Sequence, residues 1–214
     1  MSLLLILGDS ITWGAWDPAG GWVQRLRGFL DTKKDEMGNQ VHTVYNLGIN
    51  GNTSEDLLRR LDFEVQQRFD EDRDVLLIFA IGVNDSQFLL NENNVKMTVE
   101  QYEFNLENIF NKAQRYTKNI VFVGLLPVVD EKVNPVSWNA HIAYQNNRIR
   151  SFNEALQIFC KSHAIYYINI WDNWLKEDYS SMLEDGIHPN ETGHKEIFIC
   201  VKDYLFENDL IHVP

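Results

Sequence analysis

The chain opens on an unbroken apolar run, Leu3-Leu4-Leu5-Ile6-Leu7, stopped by Gly8-Asp9-Ser10. A short continuous run ended by a turn signal predicts a strand over 3–7 that is buried on both faces. Trp22, Val23, Leu26, Phe29 and Leu30 then fall at helical spacing and predict a helix over 21–37. A β-rich stretch over 41–47 ends at Gly48 and predicts a second strand. Thr53 or Ser54 can cap a helix running to about 69, with Leu57, Leu58, Leu61 and Val65 on one face. The most strand-like run, 75–81, ends at Gly82. Tyr102, Leu106, Ile109, Phe110 and Ala113 stripe a helix over 98–116. A strand over 120–126 stops before Pro127, a long helix covers 140–163, a fifth strand covers 165–170, and a closing helix covers 190–206.

Five strands separated by helices predict a parallel sheet with helices on both faces. No repeat, low-complexity tract or linker interrupts the pattern, so residues 1–214 read as one domain. In such sheets, ligands sit outside the carboxyl ends of the strands. The least regular stretches, 85–96, 128–139 and 171–186, each follow a strand end and are candidate pocket walls.

Composition narrows the partners. A formal charge of −12 repels phosphate backbones and anionic lipid, so nucleic acid and membrane surfaces are excluded as expected partners. The two cysteines, Cys160 and Cys200, form no CxxC or Cys/His cluster, which excludes a zinc framework and a disulfide scaffold. Both lie on helical patterns and read as core thiols. No apolar run approaches the ~18 residues of a membrane span. The run 3–7 lacks a basic flank and is too short for a signal-peptide core. Cytoplasmic residence is the resulting expectation, unless Met1-Ser2-Leu3 replaced a natural leader. The oligomeric state has no signature in the chain.

The polar groups at the strand ends carry the chemistry. Four blocks stand out: Gly8-Asp9-Ser10-Ile11-Thr12, 46–53, Gly82-Val83-Asn84-Asp85, and Asp185-Gly186-Ile187-His188-Pro189. Nucleophilic acyl transfer needs a hydroxyl, a base, a group that orients the base, and donors for an oxyanion. Ser10, at a turn after a buried strand, can supply the hydroxyl; its structural alternative is a helix N-cap. His188, held extended by Pro189, can supply the base; its alternative is a surface histidine before a helix. Asp185, three residues earlier across a glycine, can orient the imidazole; its alternative is an Asp-Gly turn. Asn84 offers a neutral amide donor and Gly51 a backbone N–H with no Cβ in the way, with Gly48 as rival donor. Asp9 and Asp85 read as turn and network residues. His194, six residues past His188, is off its helical face, so a metal pair is not expected. His42, His141, His163 and His212 have no motif context.

Together the four blocks, in this order, resemble the SGNH hydrolase superfamily, also called the GDSL family of esterases and lipases. The resemblance spans nearly the whole chain, with isoleucine at position 11 where the family name has leucine. It implies a three-layer α/β/α sandwich of the flavodoxin-like sort, in agreement with the five strands read independently. It implies Ser10 as nucleophile and, through its N–H, as one oxyanion donor. Gly51 and Asn84 would be the other donors, and Asp185 and His188 the acid and base. The implied activity is hydrolysis of a small-molecule ester through an acyl-enzyme, with no cofactor or metal. Trp13, Trp16 and Trp138 are candidates for the pocket mouth, where core packing is the alternative. The absence of a spare segment for a lid favours small or flexible esters.

Two other functions fit parts of the chain. A non-catalytic module on a flavodoxin-like scaffold can bind a nucleotide or flavin, although GxGxxG and GxxxxGK[ST] are both missing and Gly48-x-x-Gly51 is a feeble phosphate signal. A metal-dependent phosphoesterase can draw on Asp9, Asp85, Asp185 and His188, although histidines are too scattered for a typical two-metal site.

Overall fold

A computed structural model of the chain describes residues 1–212. The first half holds β1 (Ser2–Gly8), α1 (Ser10–Trp13), α2 (Gly21–Asp31), β2 (His42–Gly48), α3 (Ser54–Gln66), β3 (Asp74–Ala80), β4 (Phe88–Leu89) and β5 (Asn94–Val95). The second half holds α4 (Val99–Ala113), β6 (Ile120–Val123), β7 (Ile142–Ala143), α5 (Asn146–Ser162), β8 (Tyr166–Ile168), α6 (Trp171–Trp174) and α7 (Glu191–Glu207). Five strands form one parallel sheet in the order β2-β1-β3-β6-β8. The other three form a small antiparallel sheet, β5-β4-β7.

The apolar run of β1 explains the layering. Successive side chains of a strand point to opposite faces. Leu3, Leu5 and Leu7 pack with the apolar stripes of α3, α4 and α5. Leu4 and Ile6 pack with those of α2 and α7. All five are at most 1% exposed, and each contributes roughly 1.5–3 kcal/mol by leaving water. The result is an α/β/α sandwich in which β1 has no solvent face. Among the described residues no helix is long and apolar enough to cross a membrane.

The chain leaves β1 to build β2 on one side and then crosses to build β3 on the other. The loops after β1 and β3 therefore diverge, and a crevice opens between them at the carboxyl edge. Block one lies after β1, block two after β2 and block three after β3.

Three of the predicted ranges that overshoot have visible causes. The helix expected over 21–37 ends at Asp31. Beyond it the chain is polar, Met37 is 85% exposed, and the Asp35 carboxylate captures the N–H groups of Met37 and Asn39 in a turn. The helix expected over 140–163 starts at Asn146, because Ile142 and Ala143 pair with β4 instead. The strand expected over 120–126 ends at Val123, and the Leu125 N–H goes to the Asn153 side chain at 2.8 Å. The two-residue strands of the small sheet, and the four-residue helices α1 and α6, were not foreseen.

Two glycines separate packing from propensity. A Cβ on Gly48 would lie 2.2 Å from the Trp13 backbone nitrogen, whereas one on Gly28, in α2, meets nothing within 4 Å. We expect Gly48→Ala to lower unfolding free energy by about 1–3 kcal/mol through overpacking. Gly28→Ala should raise it by about 0.5–1 kcal/mol. Urea unfolding of the two variants checks this, and equal effects would contradict the packing seen between β2 and α1.

Candidate active site

The nucleophile candidate is placed by a cap. Asp9 leaves β1 in an extended conformation and its carboxylate accepts from the Ile11 N–H at 2.9 Å. Asp9, not Ser10, is thus the N-cap of α1, and Ser10 is its first helical residue. The N–H of a first-turn residue has no partner inside the helix, and the Ser10 N–H donates to nothing else among the described residues. The Ser10 hydroxyl, meanwhile, is 2.9 Å from His188 Nε2.

His188 arrives from the other end of the chain. The loop before α7 is closed by an antiparallel bridge between Leu183 and Pro189 and by the Glu184 N–H donating to the His188 carbonyl at 2.9 Å. The Asp185 carboxylate folds over this loop. Its Oδ1 accepts from the backbone N–H groups of Ile187 and His188, at 3.1 and 2.9 Å. Its Oδ2 is 2.7 Å from His188 Nδ1. A carboxylate accepts and does not donate, so Nδ1 carries the proton and Nε2 is free to accept from Ser10. Burial works against charge on Asp185, but the His188 side chain and the two backbone donors outweigh it and hold the carboxyl down at about 2.

Trp16 adds a further donor. Its indole N–H reaches Asp185 Oδ2 at 3.0 Å. The residue has φ +66°, a conformation rarely adopted by a bulky side chain. His194 fixes the preceding turn: its Nδ1 accepts from the Trp22 N–H, so Nε2 donates to the Ala15 carbonyl at 2.9 Å. Burial pushes the His194 imidazole down, in keeping with a neutral ring.

Blocks two and three are tied to one another and to block one. Asp85 is fully buried, and both its oxygens accept from the Ser54 N–H at 3.0 Å while the Ser54 hydroxyl donates to Oδ1. Ser54 opens α3, so Asp85 satisfies a helix start from a neighbouring strand end. Burial nevertheless raises its carboxyl to about 6, and burial raises Asp9 to about 6 as well. Arg60 donates to Asn52 Oδ1 at 2.9 Å and to the Gly8 carbonyl at 3.0 Å. The Asn52 carbonyl accepts from Asn84 Nδ2 at 3.0 Å.

The donors expected at the oxyanion position differ in availability. Gly51 has φ +77°, and its N–H has no partner among the described residues. Gly48, the rival, donates its N–H to Asn46 Oδ1 at 3.0 Å. Asn84 uses one amide hydrogen on Asn52, and its Oδ1 accepts from Tyr144 and Gln87.

Trp13, Trp16 and Trp138 are 55%, 60% and 53% exposed, so core packing does not explain them. The Trp138 ring centroid is 5.6 Å from that of His188. A separate recess of about 710 Å³ is lined by Trp174, Met182 and Cys200 but by none of Ser10, Asp185 or His188. Cys160 is buried as expected, whereas Cys200 is only half-buried, because α7 turns it toward that recess. Nothing in the sequence signals the bond from Trp16 to Asp185 or the bonds that Tyr144 and Gln87 make to Asn84.

A parallel α/β/α sandwich with these groups at its carboxyl edge has the SGNH hydrolase fold. Residues 6–196 match the GDSL-like lipase/acylhydrolase family, and the chain belongs to that family. The chain is 28% identical over 219 residues to the uncharacterized protein YpmR of Bacillus subtilis (strain 168), covering 94% of this chain and 81% of that protein. A lipase/acylhydrolase from Enterococcus faecalis has a similar structure, with TM-score 0.75, 22% identity and coverage of 96% of this chain and 95% of that one. Axe2, an acetylxylan esterase from Geobacillus stearothermophilus, gives TM-score 0.71 at 21% identity, covering 95% and 93%.

The depressed Asp185 carboxyl has a consequence for stability. A group whose folded value, about 2, lies below the ordinary 3.8 stabilises the fold above 3.8 and loses that contribution as pH falls through about 2. Wild type should exceed Asp185→Asn in unfolding free energy above that window, and the gap should close across it. Urea titrations at stepped pH measure the gap; a constant difference would contradict the assigned bonds.

Proposed function

We propose that the chain is a serine esterase that hydrolyses small or flexible carboxylic esters through an acyl-enzyme. The observation that carries this reading is the unbroken row from Ser10 Oγ to His188 Nε2, 2.9 Å, and from His188 Nδ1 to Asp185 Oδ2, 2.7 Å. Family membership and the esterases among its structural neighbours support a hydrolase of the esterase and lipase type.

In this scheme His188 Nε2 takes the Ser10 proton as Oγ attacks the ester carbonyl. Asp185 holds the Nδ1–H tautomer and stabilises the imidazolium that forms. The oxyanion is met by the N–H groups of Ser10 and Gly51 and by the spare amide hydrogen of Asn84. These are neutral donors, whose bonds strengthen as charge develops. Collapse of the intermediate expels the alcohol, which receives its proton from His188. The acyl group stays on Ser10 Oγ. Water, deprotonated by His188, then attacks the acyl carbon and releases the acid. Every proton is carried by a protein group or by water. The exposed Trp13, Trp16 and Trp138 leave the approach to Ser10 broad and apolar, which suits short acyl groups and esters on larger, flexible alcohols.

Ser10→Ala should lower kcat toward p-nitrophenyl acetate and butyrate by about 10⁴ or more. A fluorophosphonate probe should label wild type at Ser10 and leave the variant unlabelled. Retained turnover with no labelling would remove Ser10 from the role. His188→Ala should lower kcat by a similar factor, and turnover retained in that variant would count against His188 as base.

A further inference from the structure

We propose that the small antiparallel sheet aims the Asn84 amide, with Tyr144 and Gln87 as positioning residues and Lys96 as the group that sets the direction of their hydrogen bonds. The inference rests on the reading of Asn84 as an oxyanion donor.

All three strands of that sheet deliver a residue to the network. Gln87 immediately precedes β4, Lys96 immediately follows β5, and Tyr144 immediately follows β7. Asn84, Gln87 and Tyr144 are 6%, 6% and 3% exposed, so a wrongly turned amide would bury unpaired polar atoms.

An amide can face either way, and a phenol can donate or accept. Here the ambiguity is removed from one end. The Lys96 ammonium has donors only, and it donates to Gln87 Oε1 at 3.0 Å. Gln87 must then present Nε2 to the interior, where it donates to the Tyr144 hydroxyl and, at 3.3 Å, to Asn84 Oδ1. With its lone pair engaged by Gln87, the Tyr144 hydroxyl gives its own proton to Asn84 Oδ1 at 2.8 Å. The Asn84 carbonyl is thereby committed to the sheet side. Its amino group is turned the other way, toward the Asn52 carbonyl at 3.0 Å, with one hydrogen to spare.

The same chain acts on donor strength. Each bond polarises the next in the same sense, starting from a positive charge. Two bonds accepted at Oδ1 draw electron density from the Asn84 nitrogen and make its free N–H a better partner for an oxyanion. None of these groups hydrogen-bonds to His188, so the pH dependence should not move.

A double-mutant cycle tests this. We expect Asn84→Ala to lower kcat for p-nitrophenyl butyrate by roughly 100-fold, the loss typical of one oxyanion donor. Tyr144→Phe should lower kcat by about tenfold, with KM and the pH midpoint unchanged, as expected when the Asn84 donor is misaimed but not removed. Lys96→Met, at the exposed end of the chain, keeps the core intact and should cost about threefold through the weakened polarisation. In the Asn84→Ala background both changes should fall within about twofold of Asn84→Ala alone, because coupled groups are not additive. Losses that persist undiminished in that background, or no loss from either variant in wild type, would overturn the aiming role while leaving Asn84 as donor. Wild-type kcat in Asn84→Ala itself would overturn the reading of Asn84, and the aiming role with it.

Discussion

A 2.9 Å contact between Ser10 Oγ and His188 Nε2 joins residues 178 apart in the chain, and the rest of the structure is built to keep it. Neither partner is held by its own element alone. Ser10 is fixed because β1 is buried on both faces and cannot slide without exposing leucines on one of them. His188 is fixed because Asp185 closes its loop with two backbone bonds before it ever meets the imidazole. Parallel pairing supplies part of the last condition, since it brings the carboxyl ends of the main-sheet strands to one edge. The long connection from β8 to α7 covers the remaining distance and carries His188 back to Ser10.

Three aspartates near this contact show how environment divides one residue type among different tasks. Asp9 and Asp85 are buried, and burial raises both carboxyls to about 6 despite the N–H groups bound to each. Asp185 is also desolvated, yet its carboxyl is held at about 2, because the His188 side chain and two backbone donors outweigh burial. The first two are caps: Asp9 starts α1, and Asp85 satisfies the start of α3 from across the crevice. Asp9 binds a helix N–H through Oδ1 and Asp85 through both oxygens, whereas Asp185 is the carboxylate hydrogen-bonded to the imidazole. Adjacency in sequence misleads here, for Asp9 is next to Ser10 yet its carboxylate caps α1 and makes no hydrogen bond to His188.

Much of this was legible in the chain. The main sheet follows from continuous apolar runs that no amphipathic helix needs, and the layering follows from the alternation of side chains along β1. The candidate residues that meet at Ser10 could be picked out because each sits in a short polar block near a strand end or helix start. Helix ends were less so. The stripe of α2 ends with Leu30, but nothing in 32–37 forbids a helix, and only the Asp35 turn decides the matter. Ile142 carries helical spacing relative to Ile149, and tertiary pairing of Ile142 and Ala143 with β4 overrides it. The indole bond from Trp16 to Asp185 has no local signature, since it depends on two loops 169 residues apart.

The small sheet was illegible for a more general reason. A two-residue strand has no period to detect, and β4 meets β7 across more than 50 residues of chain, with Phe88 opposite Ala143. Yet such a sheet does what a longer one would do less cheaply in space. It brings three short loops into register beside Asn84 without extending the main sheet or covering the crevice. Buried amides need such support because their two faces are nearly the same shape and only hydrogen bonding tells them apart. A charged donor at the rim is the simplest way to break that symmetry. Lys96 cannot accept a hydrogen bond in any conformation, so every group behind it inherits one orientation. The polarity of a buried network can thus be set at the surface, where the charge itself costs little to hold.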